Sequence, residues 1–399
     1  MAENDIVIAS AARTAIGAFN GSLQSQDAYV LGGIAIQEAL ARANVSPNDV
    51  SEVIMGQVLQ GGTGPNGARR AAAAAKIPFT STAYTINMQC ASGLRAIALG
   101  AQSISAGDSN IIVAGGQESM TRTQHCIHMR KGVKLGEAKM EDMILKDSLI
   151  DGFHSYHMGM TAENIAKQWN ISREEQDKYA VLSQNRAEAA QKSNFFDKEI
   201  VPVKIADRKG EIIVNKDEHP RHGTNIQSLG KLRPAFLTDG TGTVTAGNAS
   251  GINDGAAAVV LMTMQEAKNR NIEPLARIVS SAQTGLEPSI MGMGPVSAVN
   301  KALERAGWTL DEVDLFELNE AFAAQACGVL KELKVDLDKV NVCGGAIALG
   351  HPIGCSGCRI LVTLIYSLIR LGKTKGVAAL CAGGGMGSAM CIEINSRLL

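Results

Sequence analysis

A duplicated α/β fold is what this sequence predicts, and three observations carry the reading. Apolar runs such as SNIIVAGG and GVAALCAGGG alternate with helix-like segments such as LGGIAIQEALARAN. Buried strands alternating with amphipathic helices are the pattern of an α/β protein. The segment ALARANVSPNDVSEVIMG, residues 39–56, also aligns with ALERAGWTLDEVDLFELN, residues 302–319, at a constant offset of 263. Close to that offset SGLR (92–95) falls on SGCR (356–359), and with slightly more drift AGG (114–116) falls on AGG (382–384). Three matches in one order predict two copies of a single unit, residues 1–119 and 273–399.

The first copy opens on the strand-like DIVIAS and runs through the helix at 31–44 into a second strand before residue 56. GTGPNG, residues 62–67, fits the glycine spacing of a dinucleotide site. Such a site needs an acid about 20 residues later for the ribose. No Asp or Glu occurs between Gly67 and Asp108, so the segment is read as a turn. A strand, AYTINM, then leads into Cys90 and a helix. Residues 120–249 form an insertion richer in Met, His and charge, and 250–272 return to the first half. Within the insertion, TAENIAKQWN and SREEQDKYAVLSQNRAEAAQ read as helices, the second opening on a capping box of Ser172 and Glu175. Seven Lys and Arg against four acids between 201 and 235 suit either a solvated face or a seat for phosphates.

Composition narrows the class. At 399 residues the chain exceeds one ordinary core. A net charge of −1 argues against a nucleic-acid binder, which needs a basic excess. No apolar run reaches the roughly 18–20 residues that cross a bilayer. The eight scattered cysteines read as reduced intracellular thiols. The start MAENDIVIASAART resembles no secretion or transit signal, and NSRLL is no peroxisomal tripeptide. A cytoplasmic protein, bound to neither membrane nor nucleic acid, is expected.

Four positions could carry chemistry. Cys90 lies at a strand-to-helix turn, where N–H groups and the helix dipole favour thiolate and could hold an oxyanion. A buried structural cysteine is the alternative. In the second copy the equivalent turn is GHPIGCSGCRI, which puts His351 just ahead of the position matching Cys90. Copies packed about a pseudo-twofold axis would bring the two turns together as nucleophile and base. The stretch GGAIALGHPIGCSG holds one histidine among five glycines, as if to make room for a ligand with a narrow reacting end. Cys381 closes a strand at a glycine-rich turn, and Asn319 and Glu320 end another, where ligands of α/β sheets usually sit. Cys355 and Cys358, with Cys343 and His351 nearby, could suggest zinc, but the spacing runs straight into the helix RILVTLIYSLIR and no second C-x-x-C exists.

NMQCASGLRA, ELNEAFAA, GGAIALGHPIGCSG and CAGGGMG together resemble the signatures of the thiolases, in order and spacing from about residue 5 to 395. HMGMTAENIA, residues 157–166, is more similar to the biosynthetic members than to the long-chain degradative ones. The resemblance implies a five-layered α-β-α-β-α fold whose inserted loop domain, 120–249, binds CoA. It implies reversible condensation of two acetyl-CoA to acetoacetyl-CoA and CoA, without a metal or redox cofactor, by a homotetramer joined through about 120–145. By motif position Cys90 would carry the acetyl group and His351 would activate it. Cys381 would act on the α-proton of the second acetyl-CoA, and Asn319, through a water, with His351 would polarise that thioester. Backbone N–H groups of Cys90 and Gly383 would form the other oxyanion hole. Arg221 and Ser228 would lie near the nucleotide and Ser250 along the pantetheine. His157, Met158 and Phe236 would line the tunnel, with Ala321 and Phe322 of the ELNEAF motif beside the substrate. Cys355 stands where the family usually has Ala, which raises the prospect of oxidative inactivation. The alternatives are a 3-ketoacyl-CoA thiolase of broader chain length, a non-catalytic acyl-CoA carrier on the same fold, and an NAD-dependent dehydrogenase using Gly62–Gly67.

Overall fold

The computed structural model describes residues 1–208 and 210–399. Nine main strands lie in one mixed sheet: β1 (Ile6–Thr14), β2 (Glu52–Gly56), β3 (Thr82–Ile86), β4 (Ile112–Ser119), β5 (Asn253–Thr263), β6 (Ala276–Gly285), β7 (Leu315–Leu318), β8 (Lys375–Ala382) and β9 (Met386–Ile394). Their order is β7-β8-β9-β6-β1-β5-β4-β2-β3. The seam is narrow, because β1 and β6 pair only through Val7–Arg277 and Ile8–Ala276.

On either side of that seam the same pattern repeats. β2 runs parallel to β4, which is antiparallel to β5, which is antiparallel to β1. β7 runs parallel to β8, which is antiparallel to β9, which is antiparallel to β6. The repeat read at residues 39–56 and 302–319 is the end of a helix plus β2 in one half and the end of a helix plus β7 in the other. The duplication is real in three dimensions.

Strand alternation sets the layers, since successive side chains point to opposite faces. Val7, Val113 and Ala258 face helices α1 (Ala28–Arg42) and α2 (Gly67–Ala74). Ile8, Ala114 and Val259, with Leu380 and Met390 from the other half, face helices α3 (Ser92–Ala106) and α8 (Ile353–Leu371). Val377, Ala379 and Ala389 face α6 (Gly294–Ala306) and α7 (Ala323–Leu333). Helices therefore form the middle layer and both outer layers. By length and a mean hydropathy of 1.4, α8 could cross a membrane, but 15 of its 19 residues are buried in this middle layer. Its apolarity is that of a core helix.

The chain leaves the first half after β4 and returns through β5. Between them lie α4 (Met158–Gln168) and α5 (Arg173–Lys192), whose capping box of Ser172 and Glu175 is present as expected. Arg13 on β1 ties this segment down. Its guanidinium donates to Glu199 at 2.6 Å and bidentately to Asp217 at 2.7 and 2.9 Å, all fully buried. Buried ion pairs add little net stability, but losing one partner strands a charge, so they fix how the segment docks.

Candidate active site

The Cys90 turn is tight. Ser92 Oγ donates to the Gln89 carbonyl at 2.6 Å and accepts from the Met88 N–H at 2.8 Å. Gln89 adopts a left-handed φ of 50°, uncommon for a residue with a side chain. The chain thus reverses sharply between β3 and α3 and presents the half-buried Cys90 at the helix head. Burial pushes its thiol up to about 11, against the opposing pull of the Gly383 and Cys90 backbone N–H groups directed at the sulfur. This corrects the expectation of a dipole-favoured thiolate: desolvation outweighs the dipole, and the resting group is a thiol.

His351 reaches the same place from the turn just before α8. Its Nδ1 lies 2.6 Å from Ser356 Oγ, and that hydroxyl donates its single proton to the Pro352 carbonyl at 2.9 Å. Ser356 must therefore accept from His351, which puts the proton on Nδ1 and leaves Nε2 a bare lone pair. Nε2 faces the Asn319 amide nitrogen at 3.5 Å. Burial, helped by the Arg359 charge, pushes the imidazole down to about 3, so it rests neutral. Both groups rest uncharged, as imidazole and thiol.

The glycines around His351 make room for protein and not for a ligand, which corrects the earlier reading. Gly350, at φ 104°, leaves space that a Cβ would contest with Asn253 at 2.5 Å. Asn253 Oδ1 uses that closeness to accept the His351 backbone N–H at 2.9 Å. Gly357 lets α8 touch the backbone of Leu94 on α3, and Gly93 lets α3 touch α8 in return. The paired SGLR and SGCR segments are thus the crossing point of two helices whose leading ends bring Cys90 and His351 to one cavity.

A small, mostly apolar cavity of about 50 Å³ opens against both. Gly383, Ser250, Met158, Ala321 and Phe322 line it with them. Cys381 and Asn319 are fully buried behind the wall. Cys381 packs with Met158 and Phe322 and couples electrostatically to Cys90, and burial holds its thiol well above the ordinary value. Asn319 Oδ1 is a buried acceptor without a partner among the described residues. His157 stacks on Phe236 at 4.7 Å, and Phe236 meets Phe322 edge-on at 6.5 Å, so this pair supports the wall from the loop segment. Arg221 and Ser228 sit apart, exposed on that segment. The Ser228 hydroxyl is engaged, donating to the Asn225 carbonyl at 2.7 Å.

Other expectations resolve differently. Glu320 is a strut: it accepts from Tyr179, Ser183, Asn341 and the Ile347 N–H. Cys355 is buried and its thiol pushed up to about 12 by desolvation, so the expected oxidative sensitivity lacks both access and thiolate. Cys343 faces Arg370 at 3.0 Å, a poor setting for a cation. GTGPNG lines a separate polar hollow with Arg70 and Arg122, and α2 starts at Gly67 under an Asn66 cap. The sequence reading missed Gln89, Ser148, Leu149, Met291 and Ile353 in the cavity wall, and Ser356 and Asn253 behind His351. Of these Ser356 carried a signal in the SGLR–SGCR match, and Gln89 and Ile353 lie inside the NMQCASGLRA and GGAIALGHPIGCSG motifs.

Comparison with known proteins agrees with this geometry. Residues 6–265 match the family described as Thiolase, N-terminal domain, and residues 272–394 match Thiolase, C-terminal domain. The chain is 59% identical over 388 residues to "Acetyl-CoA acetyltransferase, cytosolic" of Mus musculus, covering 97% of this chain and 98% of that protein. It is 57% identical over 393 residues to "Acetyl-CoA acetyltransferase" of Rhizobium meliloti (strain 1021), covering 98% and 100%. The crystal structure of the Bacillus anthracis acetyl-CoA acetyltransferase superposes with a TM-score of 0.96 at 46% identity, over 99% of this chain and 100% of that one. With both halves matched, and with the repeat and the site between them, the chain belongs to the thiolase family.

Proposed function

We propose that this thiolase condenses two acetyl-CoA reversibly into acetoacetyl-CoA and CoA through an acetyl group on Cys90. The observation that carries the reading is the meeting of Cys90, His351 and the Gly383 N–H on one apolar cavity. Cys90 Sγ attacks the thioester as its proton passes to His351 Nε2. The C–S bond to CoA breaks, and the departing thiolate takes the Cys381 proton. Burial keeps Cys381 a thiol at rest, so its basic form is produced by this first half-reaction. The Cys381 thiolate then removes an α-proton from the second acetyl-CoA. The enolate oxygen faces Asn319 and the newly protonated His351, in a site that excludes water. The carbanion attacks the acetyl carbonyl, whose oxygen is held by the Cys90 and Gly383 N–H groups. The Cys90 sulfur leaves and recovers its proton from His351, which balances the cycle.

Arg221 and Ser228 are assigned to the nucleotide end of CoA and Ser250 to the pantetheine, with His157, Met158 and Phe236 along the tunnel. Residues 1–119 with 250–272, and 273–399, form the halves, and 120–249 the loop domain. The enzyme works in the cytoplasm as a homotetramer joined through about 120–145, without a resident metal or redox cofactor. Leu149, Met158, Met291 and Phe322 close the cavity around a short acyl group. Thiolysis of acetoacetyl-CoA, 2-methylacetoacetyl-CoA and longer 3-ketoacyl-CoAs tests this. Preference for the four-carbon substrate is expected, and equal turnover of C4 and C10 would make this a broader 3-ketoacyl-CoA thiolase.

A further inference from the structure

Glu118 is a buried acid that the reaction above leaves unused. It lies at the carboxyl end of β4, with no solvent exposure, in the AGGQES segment that also supplied part of the internal repeat. Its Oε2 accepts from the Val58 N–H and the Gly354 N–H, both at 2.9 Å, and its Oε1 accepts from the Leu59 N–H at 3.2 Å. The three donors come from two separate turns. Val58 and Leu59 follow β2, and Gly354 lies in the first turn of α8, three residues after His351. A first-turn N–H has no partner within its helix, and an acid is favoured there.

The His351 turn lines the cavity through His351 and Ile353, and the 58–59 turn packs against it. Val58, Leu59 and Ile353 pack in one apolar cluster with Cys90. The approach is close enough that a Cβ on Gly354 would lie 2.6 Å from Glu118 Oε2 and 2.8 Å from the Gln57 backbone. Glu118 thus pulls the His351 turn and the 58–59 turn onto the same carboxylate, with the nucleophile packed beside them. We infer that Glu118 is a positioning residue that sets His351 against Cys90 by clamping these two turns together. The inference rests on the acetyl-transfer reading of Cys90 and His351.

Stability alone does not call for an ionised acid here. Burial, helped by Asp254, raises the proton affinity of Glu118 to about 7, so the charged form is disfavoured by the fold. A neutral amide of the same shape relieves that desolvation while turning an N–H donor against one of the three donors it should accept. Glu118→Gln should therefore separate stability from activity.

The test compares parent, Glu118→Gln and Glu118→Asp at pH 8, the last keeping the charge but shortened by a methylene. Thermal unfolding, acetylation of Cys90 by acetyl-CoA, and kcat and KM for acetoacetyl-CoA thiolysis are measured, with kcat per Cys90 titrated by iodoacetamide. Glu118→Gln should hold Tm at or above the parent. It should lower kcat about 10–100-fold, the cost of a misplaced reacting group, with KM for CoA nearly unchanged. Glu118→Asp should also lose kcat, because it cannot reach both turns. A kcat per titrated site within about twofold of the parent in either variant would overturn the inference. Loss of folding in both would make Glu118 a folding residue and overturn it equally. If the parent itself fails to acetylate Cys90, it is the proposed function that has failed.

Discussion

Ser356→Ala removes the acceptor that holds the His351 Nδ1–H, and its consequence can be worked from the distances. The hydroxyl accepts from Nδ1 at 2.6 Å while donating to the Pro352 carbonyl at 2.9 Å. With alanine, the Nδ1–H is left buried without an acceptor, a loss of about 1–3 kcal/mol. If that energy falls on the population of the correctly aimed tautomer, the reactive fraction drops about 5–150-fold, at 1.36 kcal/mol per factor of ten. Ser356 does not line the cavity, so substrate binding should be spared. Steady-state thiolysis of acetoacetyl-CoA should show the whole deficit in kcat. A kcat within about twofold of the parent, or a deficit confined to KM, would refute the tautomer argument.

Cys381→Ala should keep measurable exchange of labelled CoA into acetyl-CoA, since His351 can still protonate the departing thiolate. It should lose about 10²–10⁴-fold in condensation; equal loss of both activities would mean that His351 cannot take over protonation of the departing thiolate. Gly350→Ala forces a Cβ to within 2.5 Å of Asn253 at φ 104° and should cost about 2–5 kcal/mol in urea unfolding. A cost under about 1 kcal/mol would mean the turn is looser than described. His351 also sets an acid limit on stability. The unfolded chain takes up its proton as pH falls through 6.5, while the folded group stays neutral down to about 3. Stability is thus lost across that window, at up to about 1.4 kcal/mol per pH unit. His351→Gln should flatten the decline between pH 7 and 5 by about 2 kcal/mol, and an unchanged slope would contradict the burial argument.

The features legible in the sequence were those written locally. The repeat carried the division into two like halves, because a helix end and a strand recur at one offset. Cys90 and His351 stood out because each sits at a strand or glycine turn before a helix. What stayed hidden depends on distant partners. Ser356 looked like part of a repeat, and only the folded turn makes it an acceptor for His351. Asn253 lies 98 residues before the backbone N–H it holds, and Glu118 236 residues before Gly354. The resting state of Cys90 also escaped, since a helix terminus is visible in sequence and the desolvation opposing it is not. The glycines misled for the same reason: their scarcity of bulk was plain, while the occupant of the space was another part of the chain.

Cys90 is the proposed carrier of the acetyl group. Brief incubation with labelled acetyl-CoA, acid quench and peptide mapping measures this directly. The label should reside on Cys90, be discharged by added CoA, and vanish in Cys90→Ala. Label on Cys381, or on no cysteine while acetoacetyl-CoA is still formed, would contradict it.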